Sequence, residues 1–300
     1  MTSFDNLIQP FFLGSGVLRG TLVRAGRVTS DIMGKHDYPE PVGRLLGECV
    51  TLAIALSSSL KYEGLFTLQV RTEGPVRALV VDVTSAGMVR AVARFDEEAI
   101  PDLPSCSLPA LTGEGVLTFT VDQGPGMSPY QGIVSLEGES VTECALTYIT
   151  RSEQIPTRLI LASAPPDSPS GTWRSAALLL QRMPPATGTW EPEWDDSWET
   201  ASILMDTLTE KELTDLSLDP RVLLYRLFHA EDLHPGATRP VFYGCRCSTE
   251  KVMRTLAALG EEDRNALRDL GVIDVVCEFC QTHHAISHEQ LESWLASLET

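Results

Sequence analysis

The residues best suited to chemistry lie near the C-terminal end, in Gly244-Cys245-Arg246-Cys247-Ser248 and Val276-Cys277-Glu278-Phe279-Cys280. A C-x-C and a C-x-x-C, separated by 29 residues, supply four thiols in two close pairs. In structural zinc sites two short chelating loops of this kind converge on one tetrahedral ion, and four of the chain's seven cysteines fall in them. Two plain disulfides or unrelated buried cysteines are the alternatives. A fully thiolate site holds four deprotonated sulfurs, the state that oxidants attack, whereas imidazole or carboxylate ligands are far less vulnerable. Each pair is close enough in sequence to close its own disulfide once the metal has gone, the bridge across C-x-C being the more strained. Such a site is either a structural clamp or a redox switch. The four residues alone do not choose.

Other chemistry-bearing residues form no second motif. His283 and His284 follow Cys280 closely, but four thiols already satisfy zinc. His284 and His288 stand four apart beside Glu289, without the H-E-x-x-H order of a metalloprotease. Cys49, Cys106 and Cys144 have no motif partners, and Cys49 and Cys144 fall on helical faces as small buried hydrophobes. Gly14-Ser15-Gly16 followed by Gly20 resembles a phosphate loop only loosely, with no βαβ unit around it. No Ser/His/Asp or paired-carboxylate arrangement follows from spacing.

The elements that must position these residues belong to a chain of 300 residues, long enough for two domains. Apolar content is 43%, with 22 glycines and 19 prolines, which is ordinary for a globular protein. No apolar run approaches the length of a membrane span, and Met1 to Phe12 lacks a basic region and a cleavage site. Neither membrane insertion nor secretion is expected, and seven cysteines in an unsecreted chain point to a reducing compartment, the cytoplasm. Net charge is −18, and residues 181–235 carry 4 basic and 12 acidic side chains. No basic stripe appears, so the zinc module is not expected to read nucleic acid.

Hydrophobic periodicity divides the chain in three. Residues 1–183 read as an α+β core domain with a mixed, mostly antiparallel sheet. Val17–Val28 alternates as one or two strands, and Pro39-Glu40-Pro41 opens a helix over Val42–Leu60. Leu65–Arg71, Val76–Val83 and Met88–Arg94 are strands joined by turns, Pro101–Pro109 is a loop, and Gly115–Asp122 is another strand. Tyr130–Leu136 leads into a helix from Gly138 to about Arg151, and Ile155–Ala162 and Trp173–Arg182 complete the domain. Residues 184–235 form an acidic helical linker, Pro-rich at its start. There Trp198, Leu204, Met205 and Leu208 share an apolar helix face, followed by helical pieces at Glu210–Leu216 and Arg221–Phe228. Residues 236–300 form a small zinc-binding module, with helices at Thr249–Leu259 and Glu261–Leu270, a strand at Val272–Val276, and a last helix capped by Ser287.

Several stretches together resemble a known family. They are His36-Asp37-Tyr38-Pro39 before Leu45-Leu46-Gly47-Glu48, then Lys61-Tyr62-Glu63-Gly64 and Tyr130-Gln131-Gly132-Ile133-Val134. Ser152-Glu153-Gln154-Ile155-Pro156-Thr157, Leu178-Leu179-Leu180-Gln181 and the two cysteine pairs complete the order. From about residue 10 to 295 the chain resembles the redox-regulated heat shock protein of 33 kilodaltons, a bacterial cytosolic holdase chaperone. Two departures stand out: Ala176-Ala177 replaces a family Gly-Gly, and Gln281-Thr282 and His284 replace a Gly-Asn and a Tyr. The resemblance implies a non-enzyme that is compact, monomeric and inactive when reduced and zinc-bound through Cys245, Cys247, Cys277 and Cys280. Oxidation would form the disulfides Cys245/Cys247 and Cys277/Cys280, release zinc and dimerise the protein. The linker, including Trp198, Leu204, Met205 and Leu208, would loosen and capture unfolding clients without ATP. Rival readings are a thiol-disulfide oxidoreductase and an enzyme with a merely structural zinc tail.

Overall fold

In the computed structural model the N-terminal strand is followed at once by a partner, because Leu7–Leu13 (β1) and Leu18–Arg24 (β2) pair antiparallel in register from Leu7↔Arg24 to Leu13↔Leu18. The structure describes all residues except 1–3, 15, 102, 104, 125, 169–170, 185–192, 261–262, 264–266, 268–270 and 299–300. The Pro-rich start of the linker and most of the helix expected over 261–270 therefore lie outside the described residues. The described residues form two compact units, Met1–Tyr243 and Gly244–Thr300.

Chain direction reverses after β2 into a helix, Gly26–Met33 (α1), where alternation predicts strand up to Val28. The reason is tertiary. Asp5 accepts from the Gly26 and Arg27 amides at 2.7 and 2.8 Å, and Asn6 Oδ1 accepts from Val28 at 3.1 Å. These side chains satisfy the first amides of the helix from 21 and 22 residues away, where no local cap exists. The long helix Glu40–Ser58 (α2) starts as expected, with Pro41 in its first turn and Glu40 near the positive end of its dipole. It packs against strands of both large sheets, and most of its side chains are buried. Gly47 lets it approach closely, since a Cβ there would lie 2.2 Å from Ser163 Oγ.

Leu65–Thr72 (β3), Val76–Thr84 (β4) and Met88–Phe95 (β5) form the expected antiparallel meander. The expected loop over 101–109 gives way at Leu108–Thr112 to a single helical turn (α3), with Pro109 at its start. Gly115–Asp122 (β6) then pairs with β3, and Tyr130–Ser135 (β7) ends that sheet. Val141–Tyr148 (α4) is capped by Ser140 and widens into a π turn at Ile149–Glu153. Thr157–Ala164 (β8) and Arg174–Arg182 (β9) return to the first sheet, with β9 between β2 and β8. Ala176 and Ala177 are fully buried in unbroken register, so the methyls that replace the family glycines leave the strand regular.

The acidic segment packs on the face of the first sheet that α2 leaves open. It comprises Glu193–Asp206 (α5), Glu210–Leu213 (α6) and Pro220–Phe228 (α7). Met205, Leu213, Leu224 and Phe228 are fully buried with Phe11, Leu22, Leu178 and Leu180, and the Phe228 ring stacks on Phe11 at 5.5 Å. Both faces of β9 are thus covered, which explains its unbroken apolar run. Arg24 at the end of β2 has no solvent exposure. Its Nε donates to Leu213 O at 3.2 Å, and its terminal nitrogens donate to Leu218 O and to Glu212 O. Burial pulls the guanidinium down to about 10 against the raising effect of Asp215, Asp5 and Asp219, so it remains a cation at neutral pH. It closes the carbonyl end of α6. Ion pairs from Arg182 to Asp195 at 2.7 Å and from Arg158 to Asp206 anchor α5.

Three short strands follow within the first unit. Leu233–Pro235 (β10) and Arg239–Pro240 (β11) pair with β1, and Phe242–Tyr243 (β12) runs parallel to β5. The result is two six-stranded, mostly antiparallel sheets with α2 between them, the α+β class expected. In the second unit, Thr249–Ala257 (α8), the hairpin Val272–Val276 (β13) and His283–Ser287 (β14), and His288–Leu298 (α9) surround a core of Leu256, Ile273, Ile286 and Leu291. Ser287 and Gln290 cap α9 reciprocally.

Replacing Arg24 by Met removes the buried cation and orphans the α6 carbonyls. The expected loss is on the order of 3 kcal/mol. It is read as a lower unfolding midpoint and as faster proteolysis between residues 207 and 219. Unchanged cleavage there would remove Arg24 from its clamping role.

Candidate metal centre

Each cysteine pair is placed by a different local device. Cys245 and Cys247 lie on extended chain immediately before α8, whose first amides are capped by Ser248 Oγ, accepting from Lys251 at 3.2 Å. Lys251 Nζ reaches back to Arg246 O at 2.6 Å, which pins the residue between the two thiols. Cys277 and Cys280 occupy the turn that joins β13 to β14. The Cys277 amide donates to Thr282 O at 2.9 Å, and the Gln281 amide donates to Cys277 O at 2.8 Å. Gln281 sits at φ 58°, a left-handed position that glycine adopts freely, so the departure from the family Gly-Asn falls on a strained residue.

The four sulfurs lie within 4.8 Å of one another. Cys245 Sγ is 3.8 Å from Cys277 Sγ, and Cys247 Sγ is 3.5 Å from Cys280 Sγ. Four thiolates about 2.3 Å from a tetrahedral zinc ion stand roughly 3.8 Å apart, so the cluster has the dimensions and donor set of a Cys₄ site. All four are half-buried. Among the described residues no other group of three or more potential ligands comes together.

The thiols are not equivalent. Burial pushes Cys247 well up, reinforced by the neighbouring Cys280 and Cys245, and burial likewise raises Cys277. Burial also opposes ionisation of Cys280, but hydrogen bonds from the Thr282 hydroxyl and amide and from Cys247 and Cys245 outweigh it and bring Cys280 down to about 6. Thr282 Oγ1 is 3.2 Å from that sulfur. Sequence reasoning passed over Thr282, although its place two residues after the last cysteine was a usable signal. His283 and His284 are turned elsewhere. His283 Nδ1 is 2.7 Å from Asp274 Oδ2, and the buried His284 ring meets Thr249 Oγ1 at 3.2 Å.

Of the apolar residues singled out in the acidic segment, Met205 is fully buried in unit Met1–Tyr243, and Trp198, Leu204 and Leu208 pack partly buried around it. Leu213, Leu224 and Phe228 are buried as deeply and lie on the two short helices whose faces were not assigned from sequence. The remaining cysteines are separate from the cluster: Cys49 and Cys144 are buried, and Cys106 is exposed.

Known proteins resemble this chain over nearly its whole length. The family described as Hsp33 protein matches residues 6–287. The 33 kDa chaperonin of Caulobacter vibrioides is 37% identical over 284 residues, covering 92% of this chain and 93% of the relative. That of Pseudomonas paraeruginosa is 39% identical over 285 residues, covering 94% and 92%. The crystal structure of the 33 kDa chaperonin from Thermotoga maritima superposes with a TM-score of 0.82, covers 98% of this chain and 99% of that one, and is 23% identical, a likeness of fold. With nearly its whole length matched at this identity, the chain belongs to the Hsp33 family.

Proposed function

We propose that the protein is a redox-controlled, ATP-independent holdase of the cytoplasm, and not an enzyme. The observation that carries this reading is a four-thiol cluster of zinc dimensions in a unit where, among the described residues, four apolar side chains form the buried core. The relatives' name, 33 kDa chaperonin, supports a chaperone role with unfolded proteins as partners. Bound zinc would hold the two knuckles together and keep their sulfurs as thiolates, on the order of 10–16 kcal/mol of folding free energy in small zinc modules.

Cys245, Cys247, Cys277 and Cys280 are both the ligands and the switch. Each disulfide forms from two thiols and one peroxide, which is reduced to two waters, so two bridges consume two peroxides. Pairing within each knuckle, Cys245 with Cys247 and Cys277 with Cys280, is favoured because those sulfurs remain neighbours in an unfolded module. Oxidised sulfurs no longer coordinate, and a core this small does not hold the module folded alone. The three working parts are the core, residues 1–183, the acidic linker, 184–235, and the switch, 236–300. Loss of the switch's fold frees the linker, and the surface around Trp198, Leu204, Met205 and Leu208 becomes available to clients. The reduced form is a monomer and the oxidised form a dimer.

The test is a peroxide titration that follows zinc release, disulfide pairing by peptide mapping, and light scattering of a heat-denatured client in one sample. Protection is expected to rise with two equivalents of peroxide consumed per chain. Equal protection by the reduced, zinc-loaded protein overturns the switch.

Metal affinity has a defined pH dependence. Cys247 and Cys277, raised by burial, are protonated at neutral pH and must each release a proton on coordination. Affinity therefore rises with pH, about tenfold per released proton per unit, so these two thiols alone give at least about 100-fold per unit between pH 6.5 and 8. Cys280, at about 6, steepens the slope only in more acid solution. Competition with a chromophoric chelator across this range reads the slope, and a flat profile contradicts it.

Met205 is buried more deeply than Leu204, which makes it the sharper probe of the linker. Met205→Asp places an unpaired charge in that apolar site, at several kcal/mol. The variant is expected to bind zinc normally and to protect clients while reduced. A folded, zinc-replete variant that stays inactive until oxidised removes the linker from control.

A further inference from the structure

Two stretches quoted in the resemblance, Tyr130-Gln131-Gly132 and Ser152-Glu153-Gln154, lie 22 residues apart in sequence and meet in space. Tyr130 donates to Glu153 Oε1 at 2.5 Å, Tyr148 donates to the same oxygen at 2.9 Å, and the two hydroxyls are 3.0 Å apart. Glu153 ends the π turn, and Gln154 follows at φ 55°. Single π turns recur at functional sites. This network stands at one side of a cavity of about 110 Å³ floored by Leu56, Phe66, Phe119, Val121 and Ile155. Arg19 lines it as well, held by Gln181 at 3.1 Å. An apolar floor with a carboxylate and a guanidinium on its walls suits an apolar side chain attached to an amide, which offers one donor and one acceptor.

The strand beside this cavity is the unusual end of its sheet. Of the four ends of the two large sheets, β10 is three residues long and carries Pro235, and β12 is two residues long. β8 is packed by α4 and α6 and carries Arg158, paired with Asp206. β7 has six residues, Tyr-Gln-Gly-Ile-Val-Ser, with no charge and no proline. Short length, charge and proline are the usual protections of an edge, and β7 lacks all three. The Leu136 amide donates to Gly115 O at 3.0 Å, which places alternate residues back along β7 in the bonded register with β6. Gln131, Ile133 and Ser135 therefore turn their amides and carbonyls outward. No described residue bonds them, and Ile133 is 60% exposed. α4 covers one face of β7, where Gly132 sits against the Tyr148 ring, and leaves this edge open.

We propose that the outer edge of β7 and the adjoining cavity form a docking site for an extended polypeptide segment, which adds as a strand and places one large apolar side chain in the cavity. Backbone bonds to Gln131, Ile133 and Ser135 supply affinity without regard to sequence, and the cavity supplies the preference for an apolar residue. Glu137 and Glu139 beyond the strand, with Glu153 at the cavity, favour segments with basic rather than acidic neighbours. This site deepens the holdase reading above and rests on it.

The test uses the full-length, peroxide-oxidised protein and a labelled nine-residue peptide of alternating Val and Thr around a central Phe, with Lys at both ends. Fluorescence anisotropy reports its affinity. Ile133→Pro removes an outward amide that β6 does not use, so the sheet survives, and binding is expected to fall at least tenfold. Ile133→Ala keeps the amide and is expected to stay within threefold. The same peptide N-methylated at alternate residues is expected to lose at least tenfold on the wild-type protein, an arm that needs no variant to fold. Leu60 also lines the cavity, and Leu60→Trp, which narrows it, is expected to abolish the preference for Phe over Ala at the central position. Wild-type affinity in Ile133→Pro, or for the N-methylated peptide, overturns the site. So does a change confined to self-association, which makes the occupant a second copy. Client aggregation assays separate the two levels: full protection by a folded Ile133→Pro protein sinks this site alone, whereas no protection by the oxidised wild type sinks the holdase reading.

Discussion

A cation with no access to water fixes how the acidic segment lies on the first unit. Removing a guanidinium from solvent is costly unless its donors are met, and Arg24 spends them on the backbone carbonyls of Glu212, Leu213 and Leu218. The strand that carries it therefore specifies the register of α6 and of the turn before α7. Apolar burial of Met205, Leu224 and Phe228 adds adhesion, but such contacts are non-directional and tolerate sliding. Opposing them, Glu48 on α2 is pushed up to about 7 by burial and by Glu210 on α6, with Arg44 pulling the other way. As pH rises from the ordinary carboxylate range through about 7, Glu48 becomes a partly buried anion facing another carboxylate, so attachment of α6 weakens across that interval and no further above it. Docking is thus strongly specified in position, with one carboxylate pair opposing it.

The second unit has the opposite character. Among its described residues, Leu256, Ile273, Ile286 and Leu291 are buried from water, against dozens of buried apolar side chains in the first unit. The hydrogen bonds that shape the knuckles, from Cys277 to Thr282 and from Gln281 to Cys277, are local and hold a turn rather than a fold. Convergence of four sulfurs adds a long-range constraint to that small core.

How much could be read beforehand depended on where the cause of each feature lay. α2 announced itself through Pro41 and a 3.6-residue apolar repeat, and β3 to β6 through alternation and turn residues, because those causes are local. The ligand cysteines were legible because two chelating turns need short spacing. α1 was not, since Asp5 and Asn6 cap it from another element. β14 is five residues of which two are histidines, and it is a strand only because β13 lies beside it. Arg24 read as one more charge in a strand, and nothing nearby in sequence names carbonyls almost 190 residues away. The meeting of Tyr130 and Glu153 was hidden similarly, though both stretches had been quoted for their resemblance.

The two knuckles belong to one chain and are separated by 29 residues, which gives the centre a kinetic asymmetry. Destroying it by oxidation is a collision between sulfur and oxidant, so its rate scales with oxidant concentration. Rebuilding it once the thiols are restored requires the ends of a tether to meet, and a flexible tether of this length keeps them at an effective concentration on the order of millimolar. Closure is therefore first order, fast beside subunit encounters at cellular concentrations, and indifferent to how much of the protein is present. Under the function proposed above, onset would be graded by oxidant concentration, while the meeting of the two knuckles would be set by the loop length.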